Sequence, residues 1–396
     1  QLQVPVSFIV YPDVTQMLRA VIDGEAHLAA AGLARNDLLP LRWSASLREV
    51  DYVLVGRAER GTIRSEAELT GRMVSARRGS LPVDKLERLR KRVPGLNLHV
   101  PVADGDQALL EQAAEGKLDL VATDRLHFAI AQRVFPELTV AWDLPLKSHI
   151  AWALPLEPAD PLAGEVESFL AGTSESGQLA RVADRYFGHV RRLRNSDING
   201  FLSRVRERLP LYRPHFQEAQ TRTGIDWRLL AALAYQESQW DPLATSRTGV
   251  RGMMMLTVET ADRLGVRDRL EPRDSILGGA RYLAMLRDQL PDEVEEPDRT
   301  WMATAAYNLG MGHLRGARAI ARTMKRDHTS WWGLKTVLPL LSRPEYAARL
   351  KAGAARGGEA VIMTENIRNY YDILTRIEPP YVPPLQPRGL RLSRND

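Results

Sequence analysis

The pattern of hydrophobic runs changes character near residue 200, and this change limits the possible folds more than any other feature of the chain. Up to about residue 190, short apolar or β-branched runs at 28–31, 52–55, 73–76, 97–102, 118–122, 138–141 and 150–154 alternate with helical stretches at 14–21, 82–92, 104–115, 125–133 and 178–187. Strands alternating with helices of this length predict an α/β unit with a largely parallel sheet. From residue 202 the strand signals nearly vanish. Helical patterns at 202–223, 227–237, 257–264, 276–289, 299–308, 314–325, 331–341 and 358–376 predict an all-α unit. The basic, polar stretch 193–201 reads as the linker. Residues 379–396 carry Pro379, Pro380, Pro383, Pro384 and Pro387, which predicts an extended tail. The expected divisions are therefore 1–192, 193–201, 202–378 and 379–396.

Composition enters by exclusion. With no cysteine among 396 residues, a disulfide framework, a thiolate zinc site, an iron–sulfur centre and a cysteine nucleophile are ruled out. The eight histidines are scattered, no His-Glu-x-x-His or Walker loop occurs, and no metal or cofactor is expected. Gly310-Met311-Gly312-His313-Leu314-Arg315-Gly316 follows a helix rather than a strand and has its last glycine one place late, so a dinucleotide fingerprint fails. A net charge of +5 is a mild bias that favours an anionic polymer without specifying one, and no nucleic-acid partner is expected. No apolar run reaches the ~18 residues of a membrane span. The chain begins at Gln1 rather than Met, which fits a processed protein or a fragment.

The stretch 231–257 holds the chemistry. In a helix starting after Asp226, a suitable N-cap, Leu230, Leu233, Ala234 and Glu237 fall at i, i+3, i+4 and i+7. Glu237 thus lies on the apolar stripe at the helix end. A carboxyl there must be paired, hydrogen-bonded or neutral. Desolvation would raise its pKa into the range that suits a general acid for a glycosidic oxygen. The bland alternative is a Glu at a fraying helix end, half in water.

Neighbouring motifs tip that balance. Gln236-Glu237-Ser238-Gln239-Trp240-Asp241-Pro242, Ala244-Thr245-Ser246 and Gly249-Val250-Arg251-Gly252-Met253-Met254-Met255-Leu256-Thr257 resemble the catalytic segment of soluble-lytic-transglycosylase-type domains. Ala306-Tyr307-Asn308 is similar to the third motif of that family, and Glu365-Asn366-Ile367-Arg368-Asn369-Tyr370 to its closing motif. Met253 and Met255 depart from the family's Gly-Leu-Met-Gln motif. Met255 matches instead the variant of the membrane-bound lytic murein transglycosylase F family, which adds an amino-terminal domain like the solute-binding proteins of ABC transporters.

The resemblance implies a periplasmic-binding-protein-like two-lobed domain followed by a lysozyme-like helical domain. It implies non-hydrolytic cleavage of the β-1,4 bond between N-acetylmuramic acid and N-acetylglucosamine in peptidoglycan, leaving a 1,6-anhydromuramoyl end. Glu237 would be the sole acid and base, and Asp241 and Glu259 turn and surface residues. Ser238, Ser246, Met253, Met254, Met255, Tyr307, Asn308, Glu365 and Tyr370 would contact or shape the substrate groove, with Glu365 towards the peptide stem. Trp240, Trp301, Trp331 and Trp332 would serve packing. The location implied is the periplasm of a Gram-negative bacterium, peripheral on the outer membrane.

In the first unit, Gly79-Ser80 before a helix could present backbone N–H groups to an anion, and Asp124 after a strand could meet a ligand amine. An ordinary turn and an ordinary N-cap are the plain alternatives. Residues 1–10 resemble the second strand of the solute-binding fold, its first βα unit then being absent. The family's usual arginine has no match after Ala31-Gly32-Leu33, since Arg35 and Arg42 are off register. A sensing or positioning module for cell-wall fragments, including muropeptides, is the expectation. Two rivals remain at this point: a lysozyme-like hydrolase on the same scaffold, and an inactive peptidoglycan-binding receptor.

Overall fold

The computed structural model describes residues 5–102, 105–156, 161–190, 193–246, 249–351 and 353–383. The chain divides into two compact units, 1–191 and 192–396. Most of the proline-rich tail, 384–396, lies outside the described residues.

The first unit contains strands β1 (Ala29–Ala34), β2 (Leu41–Trp43), β3 (Arg48–Arg57), β4 (Met73–Ala76), β5 (Asn97–His99), β6 (Leu120–Asp124) and β7 (Leu138–Pro155). Its helices are α1 (Val14–Ile22), α2 (Leu81–Arg90), α3 (Asp106–Ala114), α4 (Arg125–Gln132), α5 (Pro161–Glu175) and α6 (Gln178–Phe187). One sheet runs β1-β7-β3-β6-β4-β5, with β2 also on β7. Only the β4–β5 and β4–β6 pairs are parallel, and every other pair is antiparallel. The expected largely parallel sheet is thus corrected to a mixed one. Strand–helix alternation along a chain does not fix the direction of non-local neighbours, and β3 pairs with two strands that lie far away in sequence.

The runs at 138–141 and 150–154 are not two strands but the ends of β7, a single strand of 18 residues. Its first part pairs with Val53–Arg57 and its middle with Arg48–Asp51, with register shifts between Asp51 and Val53 and between Leu54 and Val55. The last part carries β1 and β2. Around one end of this ribbon, alternate residues of β3 bury on opposite faces. Leu54 joins Leu69, Leu86 and Leu89, while Val53 and Val55 join Leu109 and Leu110. At the other end Val14, Leu18 and Val21 of α1 pack on Leu33, Leu41 and Ala153. Two lobes joined by the continuous strands β3 and β7 result. Residues 5–10, expected as a strand, form none, and Phe8 and Val10 are exposed.

The second unit is helical: α7 (Asn195–Glu207), α8 (Leu209–Thr223), α9 (Trp227–Ser238), α10 (Val258–Leu264), α11 (Pro272–Asp288), α12 (Asp298–Leu309), α13 (Met311–Thr323), α14 (Trp331–Leu334), α15 (Pro344–Ala347) and α16 (Gly357–Ile377). The single helix expected at 202–223 is broken at Arg208, and Pro210 sits in the first turn of the new helix, where its missing N–H has no partner to lose. The helix expected at 331–341 likewise shortens to α14 plus a 3₁₀ turn, Leu338–Ser342, around Pro339. No helix among the described residues is long and apolar enough to cross a bilayer.

The stretch expected as a linker is α7 from Asn195 onward. Its polarity is that of an amphipathic helix whose Ile198, Phe201 and Val205 face inward. Phe201 is fully buried, its ring centroid 4.5 Å from that of Tyr235, 4.6 Å from Tyr370 and 5.6 Å from Trp240. α7 therefore closes the core around α9. Phe201→Ala is expected to cost about 3–5 kcal/mol, measured by urea denaturation of the whole chain. A change below about 0.5 kcal/mol would fit surface substitution and a mere connector.

Candidate active site

α9 is the axis of the helical unit. Asp226 caps it by accepting from the Arg228 N–H at 2.8 Å, and Leu229 through Tyr235 are all buried. The helix ends where Gln239 and Trp240 both take positive φ, 54° and 57°. The Trp240 indole is buried and donates to the Ala231 carbonyl at 2.9 Å, which holds this turn against the helix. Left-handed backbone at non-glycine residues is costly, so packing must fix it.

Glu237 sits in the last turn. The residue is half-buried, and desolvation with no opposing charge pushes its pKa up to about 8. Among the described residues it has no ion pair and no hydrogen bond. An acid in this state is neutral near pH 7, reachable, and has its proton to give. Asp241 and Glu259 are exposed, and Asp241 accepts from the Leu243 N–H in the turn.

The facing loop is tied down from three sides. Ser238 Oγ donates to the Met253 carbonyl at 2.9 Å. The Met254 N–H donates to Ser275 Oγ at 3.2 Å, and the Tyr307 hydroxyl donates to the Met254 carbonyl at 2.8 Å. Gly252 has φ +83°, and a Cβ there would lie 1.7 Å from the Arg269 carbonyl oxygen, so only glycine fits. Burial and then the charge of Glu237 hold the Tyr307 phenol well above its ordinary pKa.

Several expected contacts are corrected by burial. Met253 and Met254 are fully buried in the core and cannot wall a groove, while Met255, at φ 47°, keeps accessible surface. Sequence cannot tell these three apart, because the side chains diverge only once the loop turns at Gly252. Tyr307 spends its proton on Met254 rather than on Glu237. Tyr370 is buried between Phe201 and Tyr235. Glu365 is buried and accepts from the Trp331 indole at 2.6 Å and from Arg368 at 2.9 Å, with the Lys335 ammonium at 3.7 Å, so it does not reach a peptide stem. Asn308 is exposed in the last turn of α12. Ser246 closes a turn, its N–H donating to the Val250 carbonyl. Trp240 and Trp331 pack, as expected.

Three features escaped the reading of the sequence. Ser275 anchors the loop. Gly278 and Gly279 in α11 admit Leu256, Val266 and Met254, since a Cβ on Gly279 would lie 2.6 Å from the Met254 methyl carbon. Tyr282 stacks obliquely on Tyr307 at 5.0 Å. A Gly-Gly pair inside a helical pattern was the available signal for close packing.

In the first unit, one cleft between the lobes is lined by Tyr52, Arg77, Gly79, Ser80, Asp106, Asp124 and His127, among others. Asp124 caps α4, accepting from the N–H groups of Leu126 and His127, and also meets the His127 ring at 2.5 Å. Burial opposes its charge, but His127 and these N–H groups hold its pKa low. Arg77 pairs with Asp106 at 2.9 Å. Gly79, at φ +71°, lies against Thr15 of α1.

A half-buried, unpaired glutamic acid thus stands at a helix end beside a loop pinned by serine and tyrosine, and the Transglycosylase SLT domain family matches residues 214–330. Relatives named membrane-bound lytic murein transglycosylase F match nearly the whole chain. That of Thiobacillus denitrificans is 49% identical over 366 residues, 91% of this chain and 77% of its own length. That of Methylobacillus flagellatus is 42% identical over 96% of this chain and 81% of its own. The chain belongs to the membrane-bound lytic murein transglycosylase F family, and is a peptidoglycan lytic transglycosylase. Among solved structures, an ancestral arginine-binding protein bound to arginine is 16% identical with a TM-score of 0.40, covering 44% of this chain and 77% of that one. The GluR0 ligand-binding core of Nostoc punctiforme is 17% identical with a TM-score of 0.41, covering 47% and 84%.

For Glu365, burial opposes the charge, but Arg368, Lys335 and Trp331 hold its pKa below the ordinary 4.5. A depressed folded value contributes stability that is present above the unfolded pKa and lost as pH falls through the folded one. Glu365→Gln is expected to destabilise by about 3–5 kcal/mol at pH 7, because it removes the buried negative charge that Arg368 and Lys335 face. Thermal melts at pH 7 and pH 3 check this: the difference from the unmodified chain should shrink at the lower pH, and a difference that grows there would contradict it.

Proposed function

We propose that Glu237 performs both proton transfers of peptidoglycan cleavage. Its protonated carboxyl gives a proton to the bridging oxygen as the bond from the muramoyl C1 to O4 breaks. The resulting carboxylate takes the proton of the same sugar's 6-hydroxyl as O6 bonds to C1. The proton passes from O6 to O4 by way of Glu237, no water is consumed, and the acid is restored. Ordinary glycosidases need a second carboxyl as base or nucleophile. This site works with one because the nucleophile belongs to the substrate. The observation that carries the reading is the pKa of Glu237, raised to about 8 by burial without a counter-charge. Ser238 and Tyr307 hold the loop opposite. Ser238, Ser246, Met255 and Asn308 are the expected groove residues that keep accessible surface.

Glu237→Gln is expected to lower turnover by roughly 10²–10⁴-fold, with residual and native products both 18 Da lighter than their hydrolysed counterparts when digested peptidoglycan is weighed by mass spectrometry. Products carrying the added water would favour a hydrolase, and undiminished turnover would remove Glu237 from the chemistry. The sign for stability is also fixed. The folded value lies above the ordinary 4.5, so the folded state keeps a proton between pH 4.5 and about 8 that the unfolded chain releases. Stability therefore falls as pH rises through that window, and the Gln variant lacks this slope.

The N-terminal unit (1–192 by the sequence reading) is proposed as a sensing or positioning domain for cell-wall fragments, and 202–378 as the catalytic domain. The cleft with Tyr52, Arg77, Asp106, Asp124 and His127 supports this, because it sets paired charges of both signs between two lobes that share two strands. Muropeptides offer matching ammonium and carboxylate groups. Location in the periplasm against the outer membrane is proposed from the relatives' names. Isothermal titration of the whole chain with muropeptides is expected to give saturable heat that Asp124→Asn reduces. Absence of heat would remove the sensing role.

A further inference from the structure

A second pocket lies in the helical unit, behind the loop that faces Glu237. It has about 190 Å³ of room, where a single water needs only ~10–15 Å³. Arg251, Arg267 and Arg269 line it together with Asp262 and Asp268 over a floor that includes buried Val266. Among the described residues, neither Arg251 nor Arg267 has an ion-pair partner or a side-chain hydrogen bond, and the Asp262 carboxylate has none either. Arg269 spends one nitrogen on the carbonyls of Leu256 and Gly249, at 2.9 and 3.1 Å. Arg251 exchanges backbone hydrogen bonds with Leu256 at 3.2 and 3.1 Å, and Gly252 follows it directly. The pocket is therefore built on the two ends of the loop that carries Met253–Met255.

The guanidinium groups of Arg251 and Arg267, left unpaired beside the free Asp262 carboxylate, suit a ligand that carries both charges, while Asp268 accepts from the Leu270 N–H at 2.8 Å. We propose that this pocket binds a zwitterionic amino-acid head group, the kind found at the free end of a diamino-acid residue in an uncrosslinked peptide stem of the wall polymer. The carboxylate lies on Arg251 and Arg267, and the ammonium on Asp262. A plain anion would gain nothing from the aspartates, and a plain cation would be repelled by the arginines. The proposal rests on peptidoglycan being the substrate. It adds that the enzyme reads the stem as well as the glycan, at a place that steadies the catalytic loop.

The test uses the whole chain and an Arg267→Ala/Asp262→Asn double variant. For each, kcat/KM is measured on glycan strands bearing uncrosslinked stems and on strands stripped of stems by an amidase. The preference for stem-bearing strands is expected to fall roughly tenfold in the double variant, mainly through KM. Equal losses on both substrates, or no loss, would overturn the proposal. Titration in a Glu237→Gln background separates binding from catalysis. The probe is a tripeptide stem ending in the diamino acid, used intact, carboxyl-amidated or amine-acetylated at that end. Heat that the double variant abolishes and either blocking group weakens supports a zwitterion site. Weakening by amidation alone would reduce the pocket to a general anion site, and heat unaffected by the double variant would place the ligand elsewhere. Undiminished turnover by Glu237→Gln would sink the single-acid mechanism and leave these binding outcomes readable.

Discussion

A carboxylic acid kept away from water without a compensating charge is the constraint on which the rest of the helical unit depends. Placing an ionised carboxylate in such surroundings costs several kcal/mol, so the group stays protonated instead. That requires helix α9 to be buried all round and to end abruptly, with Gln239 and Trp240 bent into left-handed backbone and the Trp240 indole locked on Ala231. Phe201, Tyr235 and Tyr370 seal the far side. A looser helix end would let water reach the acid and return its pKa to the ordinary range.

The same unit handles its other buried acid in the opposite way. Glu365 is the more deeply placed of the two, and Arg368, Lys335 and the Trp331 indole surround it and keep it charged. Glu237 is unpaired among the described residues, and Glu365 is paired. The difference lies wholly in the neighbours. It explains why Glu365, grouped by motif with the substrate residues, belongs to the scaffold: its hydrogen-bonding capacity is already taken.

Much was legible from residue order. The switch from strand–helix alternation to helices at about residue 200 follows from hydrophobic periodicity, a local property. The placement of Glu237 on the apolar stripe and the cap at Asp226 were readable for the same reason. Errors gathered where distant segments decide. The runs at 138–141 and 150–154 merged into β7 because β3 pairs along both. The polar stretch 193–201 hid Ile198 and Phe201 on one helical face.

By itself the sequence determined the two-unit plan and the position of Glu237 at the end of a capped helix, because each rests on spacing and on residue types a few positions apart. Only the tertiary structure decided which groove residues keep a surface to offer. Met253 and Met254 disappear into the core, Met254 against Gly279, while Met255 stays accessible, and the Tyr307 hydroxyl donates its hydrogen bond to a backbone carbonyl. Burial and hydrogen-bond partnership are settled by atoms that arrive from other helices, and no pattern along one segment records which atoms those will be.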